Sequence, residues 1–257
     1  MTSLKSFALL VCAAALSACG DSPVQTIDQV ATGARVKFFN FGINAPGVNF
    51  YANTTKMTGI LTSTGVESTT GVIYTAAGNG GLYETIVPGS YTLATKIAAT
   101  ADHDLTVASV TANLEDGKYY SYFVSGFYNT TAKTADAFLL EDPFVTKIDF
   151  DKAYVRFVNA VPNSAPMTLY AKNANTTDLE IAVGGLVAYK NGGAFTAVPV
   201  GVYDLSTRVA GASANVVTRT GVSFAAGRVY TIAARGDFTV GGTTAATRIA
   251  LDNTANR

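Results

Sequence analysis

The sequence predicts an all-β protein, two Greek-key β-sandwich domains in tandem. Three observations carry that reading. Short blocks recur in the same order in the two halves of the chain, and internal repeats decide a fold before any finer signal. Within the blocks, apolar residues alternate with period two, the mark of a half-buried antiparallel sheet. Threonine, valine and 13 tyrosines favour strands, and no segment of ten or more residues after the leader has a helical period.

The leader comes first. Residues 1–18 have the form of a lipoprotein-type signal peptide: Lys5 is followed by an apolar run from Phe7 to Leu16, about ten residues and too short to span a bilayer. Leu16-Ser17-Ala18-Cys19 is similar to the bacterial lipobox, which makes Cys19 the expected lipid attachment. The competing reading is an ordinary signal peptide cut nearby, with Cys19 a spare thiol. Cys12 falls inside the removed segment, so no intramolecular disulfide is expected. Acyl chains contribute about 0.8 kcal/mol per CH₂ to anchoring. Residues 19–33 then form a lipidated tether. Gly20 after the cysteine resembles an outer-membrane sorting signal. The expected location is the bacterial cell envelope, lipid-anchored in the outer membrane.

The two copies follow, at 34–143 and 153–252. Ala34-Arg35-Val36-Lys37-Phe38-Phe39-Asn40 recurs as Ala153-Tyr154-Val155-Arg156-Phe157-Val158-Asn159. The run from Tyr91 to Ala98 recurs from Tyr203 to Ala210, each behind a Pro and a Gly. Leu114-Glu115-Asp116-Gly117-Lys118-Tyr119-Tyr120 recurs as Phe224 to Tyr230. Alternation puts Val36 and Phe38 inward with Arg35 and Lys37 outward. It likewise puts Tyr91, Leu93, Thr95 and Ile97 on the buried face, as it does Tyr203, Leu205, Thr207 and Val209. Tyr120 has the spacing of a tyrosine corner, whose hydroxyl ties a crossover between sheets; a plain strand-start tyrosine is the alternative.

These blocks resemble the bacterial family known as domain of unknown function 4397. The resemblance rests on a strand ending in Asn40, a turn through Asn44-Ala45-Pro46-Gly47 and a second strand ending in Tyr51, repeated from Asn159 through Pro166 to Tyr170. Pro88-Gly89-Ser90-Tyr91 and Gly117-Lys118-Tyr119-Tyr120 also fit. The family implies an immunoglobulin- or transthyretin-like sandwich, tandem copies on secreted or anchored proteins, and no catalytic residues. Phe41-Gly42-Ile43 departs from the family's shorter turn.

Composition narrows the chemistry. Eighteen basic residues balance 18 acidic ones and only 14% of residues are charged, which argues against disorder and against nucleic-acid binding. His103, in Asp102-His103-Asp104, is the single histidine; it reads as a solvated turn before it reads as a metal ligand. A serine triad lacks its histidine partner elsewhere, and Gly221-Val222-Ser223-Phe224-Ala225 lies in a strand pattern. Carboxylate chemistry survives through Glu67, Glu84, Glu115, Glu141 and Glu180, with nothing to pair them.

Glu141, Asp142, Asp149 and Asp151 cluster between the copies around Pro143 and Phe144. They are calcium candidates, against the alternative of a solvated acidic linker with Phe144, Ile148 and Phe150 packing between sandwiches. Tyr119, Tyr120, Tyr122, Phe123, Phe127 and Tyr128 form core or an interdomain contact in preference to an exposed platform.

The expectation is a non-enzymatic envelope lipoprotein of binding, adhesion or structural type, with no cofactor. Its partners would be the membrane, through the anchor, and an envelope protein or glycan. Contacts are expected at the loops Gly78–Gly81 and Asn191–Gly193. A carboxylate-dependent hydrolase of envelope polysaccharide and a passive spacer are the competing readings.

Overall fold

All the period-two blocks form strands in the computed structural model, which describes residues 32–256. The signal peptide, Cys19 and nearly all of the tether lie outside the described residues. Copy one contributes β1 (Ala34–Asn40), β2 (Val48–Ala52), β3 (Thr55–Lys56), β4 (Glu84–Ile86), β5 (Gly89–Ile97), β6 (Thr106–Leu114), β7 (Tyr119–Asn129) and β8 (Thr134–Glu141). Copy two contributes β9 (Lys152–Asn159), β10 (Met167–Asn173), β11 (Ile181–Val187), β12 (Asn191–Gly192), β13 (Thr196–Pro199), β14 (Gly201–Val209), β15 (Val217–Phe224), β16 (Val229–Arg235) and β17 (Ala250–Ala255). The last strand thus runs three residues past the expected end of the second copy. Among the described residues no helix is long and apolar enough to cross a membrane.

Each copy is a sandwich of two sheets. In copy one, β4-β1-β7-β8 faces β3-β2-β5-β6; in copy two, β12 and β13 pair along one edge of β9, with β16 and then β17 on the other, and this sheet faces β11-β10-β14-β15. The first two strands fall in different sheets, unlike the immunoglobulin arrangement in which they share one. Of the two sandwich types expected, the order is the transthyretin-like one. β1 runs parallel to β7, and β9 to β16, in the same relative register.

The cores are those the alternation predicts. Val36, Phe38, Phe50, Leu93, Ile97, Leu114 and Tyr122 fill copy one. Val155, Phe157, Leu169, Leu205, Phe224 and Ile232 fill copy two. The tyrosine corners are real: Tyr120 is buried and its hydroxyl accepts from Glu115 N at 3.1 Å, as that of Tyr230 does from Ala225 N at 3.1 Å.

A third cluster corrects the expected wet face. Phe39, Phe41, Phe123 and Phe138 of copy one meet Val158, Ala160 and Ala233 of copy two. The outer faces of the β1 and β9 sheets therefore bury one another. Lys37, expected in solvent, is 1% exposed, and so is its repeat equivalent Arg156. Alternation correctly sends both side chains away from their own core. It cannot say that a second copy covers that face.

Candidate functional site

The junction has a pseudo-two-fold symmetry that starts from the repeat. Lys37 Nζ donates to Ala255 O at 2.9 Å and Asn256 Oδ1 at 3.2 Å. Arg156 makes the mirrored bonds, through Nη1 to Glu141 O at 3.1 Å and through Nη2 to the Asp142 carboxylate. Each cation also lies over an aromatic ring at an equivalent place, just before β4 or β13, Lys37 over Tyr83 at 4.3 Å and Arg156 over Phe195 at 5.0 Å. Such an isologous contact is what two copies of one surface make.

Charge is unevenly shared across it. Asp142, 2% exposed, accepts from Arg156, from Ser121 Oγ at 2.7 Å and from Tyr83 Oη at 2.5 Å. Its counterpart is the neutral Asn256, bonded to Thr231 Oγ1 at 2.7 Å. Burial lowers the Lys37 pKa to about 8, with Asp142 opposing and Arg156 reinforcing that shift. Burial, then the Asp142 charge, raises the Tyr83 phenol.

The calcium candidates are therefore not gathered. Asp142 is committed to Arg156, Glu141 pairs with Lys118 at 3.2 Å, and Asp149 caps Asp151 N at 2.9 Å. No group of three or more acidic, His or Cys side chains among the described residues is arranged to hold a metal. Phe144 does bridge the copies, 4.8 Å from Tyr119 and 5.3 Å from Phe195, whereas Phe150 is 75% exposed. Asp102 and Asp104 flank His103 in an exposed turn held by Lys133 and by Tyr51 Oη. Glu67, Glu84 and Glu180 each hold a separate partner, while Glu115 and Glu141 share Lys118.

On either side of this junction runs a seam, where a loop of one copy crosses the last strand of the other. Asn40 and Asn159, both fully buried, anchor these loops through Nδ2 bonds to Val72 O and Val187 O. Both loops then turn through a left-handed residue, Thr75 (φ 77) and Lys190 (φ 65).

The seam over β8 is closed. Tyr189 Oη donates to Ser125 Oγ at 3.1 Å and lies 3.4 Å from an Asp136 oxygen. Lys190 pairs with Asp136 at 2.6 Å, and Gly192 lets the loop settle on Leu140, where an added Cβ would come within 3.1 Å.

The seam over β17 is open. Here Tyr74 stands for Tyr189, Arg235 for Ser125, Ala250 for Asp136, Asp252 for Phe138 and Thr254 for Leu140. Arg235 pairs with Asp252 in place of filling space. The result is a groove of about 500 Å³ between Thr75–Leu82 on one side and Arg219 and β17 on the other, with Phe39 and Phe41 at its base. Behind the groove wall, the Tyr74 hydroxyl is buried without a well-formed hydrogen bond, its ring 5.4 Å from the Arg235 guanidinium.

The two expected contact loops are accordingly not free tips. Gly78 and Gly81 are buried in a 3₁₀ turn on the groove wall, and Asn191–Gly192 is paired with β9. Of the aromatic run, Tyr120, Tyr122 and Phe123 are buried and Phe127 is half-exposed. The sequence signal for the junction was present: Phe39 and Phe123 occupy outward positions, where a solvated sheet would have polar residues.

Comparison with known proteins follows the same lines. No curated protein matches the chain. A crystal structure of a candidate cell adhesion protein from Bacteroides eggerthii is similar at 9% identity, covering 90% of this chain and 98% of that one with a TM-score of 0.24, a likeness too loose to speak for fold or role. The family model described as domain of unknown function (DUF4397) matches twice, over residues 34–170 and 153–257. With nearly all the described residues matched in two tandem copies, the chain belongs to the DUF4397 family.

Proposed function

We propose that this chain is a non-catalytic binding protein of the bacterial envelope, held there by a lipid on Cys19. One observation carries the reading: of two seams built from equivalent strands, one is packed shut and the other keeps a groove of about 500 Å³. Closing such a gap takes no more than the phenylalanine and leucine that stand at Phe138 and Leu140 on the equivalent strand. The tether would set the paired sandwiches off the membrane, with the groove open to the envelope.

The test is in-cell crosslinking of the full chain followed by mass spectrometry, beside a Cys19→Ser form and a Thr254→Leu form that narrows the groove. The binding reading expects an envelope partner that is lost in both variants. Capture unchanged by Thr254→Leu moves the site elsewhere on the surface. Bulk neighbours only, the same in all three forms, overturn binding in favour of a spacer. Turnover of a glycan panel abolished by Glu115→Gln or Glu141→Gln replaces it with the hydrolase.

A further inference from the structure

Building on the binding reading above, we infer that the open groove takes an extended polypeptide segment, added as a strand along the free edge of β17. The ladder fixes which groups face that edge. Asn256 N donates to Val229 O at 2.8 Å, so those two residues form a hydrogen-bonded pair. Antiparallel ladders alternate, which makes Thr231 with Thr254 and Ala233 with Asp252 hydrogen-bonded pairs as well. Leu251, Asn253 and Ala255 therefore turn their N–H and C=O groups away from β16.

Two of these edge carbonyls are already capped. Arg219 Nη1 donates to Leu251 O at 2.8 Å, and Lys37 Nζ to Ala255 O at 2.9 Å. Between the caps, Asn253 lines the groove, and no group among the described residues hydrogen-bonds its outward main-chain N–H or C=O. A donor and an acceptor presented side by side on a sheet edge are what another extended chain answers.

The surroundings favour a polypeptide over a sugar. Phe39 and Phe41 at the base belong to the apolar cluster between the copies, so the groove continues an existing interface. Alternate side chains of an added strand would point toward those rings or toward solvent. On the equivalent strand β8 the seam is filled by Tyr189 and its neighbours, which limits strand addition to one edge.

The probe is a fluorescent, capped heptapeptide of alternating valine and threonine, titrated into the full chain. Saturable binding is expected, with the Asn253 amide becoming protected in hydrogen–deuterium exchange. Two N-methylated versions of the probe, each blocked on one set of alternate residues, separate the faces of the added strand. One is expected to bind at least tenfold more weakly and the other to bind nearly as well. Asn253→Pro, which removes the main-chain N–H, is expected to lose at least tenfold. The N-methyl pair needs no protein variant, so a misfolded Asn253→Pro leaves the test intact.

No saturable binding, equal binding of both methylated probes, or binding without protection at Asn253 overturns strand addition. A chito-oligosaccharide that protects Asn253 where the peptide does not also overturns it, while leaving the binding reading in place. Failure of the crosslinking experiment above is a separate result and removes the binding reading itself.

Discussion

The seams over β8 and β17 start from the same design and end differently. In both, a buried asparagine anchors a loop that turns through a left-handed residue onto the last strand of the other copy. Over β8 the loop meets Phe138, Leu140 and Asp136; over β17 it meets Asp252, Thr254 and Ala250. The difference lies in side-chain volume and in a missing acceptor, with the backbone topology shared. A groove is thus made by subtraction from a symmetric interface, which leaves the rest of the junction packed while freeing one edge.

The central charges should break the symmetry most visibly. Asp142→Ala leaves Arg156 buried without its anion and removes the acceptor for Ser121 and Tyr83. Breaking a buried pair from one side costs about 3–5 kcal/mol. Asn256→Ala, at the equivalent place, removes neutral hydrogen bonds and should cost about 1 kcal/mol. Urea denaturation of the two variants checks the ratio. Equal losses would mean that the pair contributes no more than its neutral counterpart.

Lys37 gives the next effect, through pH. Its folded pKa is lowered from 10.5 to about 8, so between those values the unfolded chain binds more protons than the folded one. Stability contributed through this group therefore rises with pH from about 8 to about 10.5, and the penalty is fully present below pH 8. Its size is on the order of 3 kcal/mol. Lys37→Met abolishes that gain, so the difference in unfolding free energy between Lys37→Met and the unaltered chain should shrink as pH rises. A constant difference from pH 7.5 to 10.5 would place the ammonium in a solvated setting.

Much of the fold was legible from period and repeat, because each strand's inward face depends on its own residues. Val36, Phe38, Leu93 and Tyr122 are core for reasons local to their strands. The junction was harder to see. Lys37 and Arg156 look like solvated positions until the second copy lies over them, and Asp142 looks like linker acid until Arg156 reaches it. Those contacts join residues 14 or more than 200 positions apart. The groove was not legible at all, since it depends on comparing Asp252 with Phe138 and Thr254 with Leu140. The outward aromatic positions Phe39 and Phe123 were the available hint.

The finest comparison is between two tyrosine hydroxyls. Tyr189 donates to Ser125 and burial pushes its pKa up to about 12. Tyr74 occupies the equivalent place, but Ser125 and Asp136 are replaced there by Arg235 and Ala250, and its buried hydroxyl lies by the Arg235 guanidinium without a well-formed hydrogen bond. Tyr189→Phe should therefore destabilise by about 1 kcal/mol. Tyr74→Phe gives up only the phenol's attraction to the Arg235 guanidinium, and should cost less, within a few tenths of a kcal/mol. Thermal melting of the two variants in parallel reads this directly. If Tyr74→Phe cost as much as Tyr189→Phe, the Arg235 guanidinium would be an effective donor to this hydroxyl, and the two seams would hold their tyrosines equally.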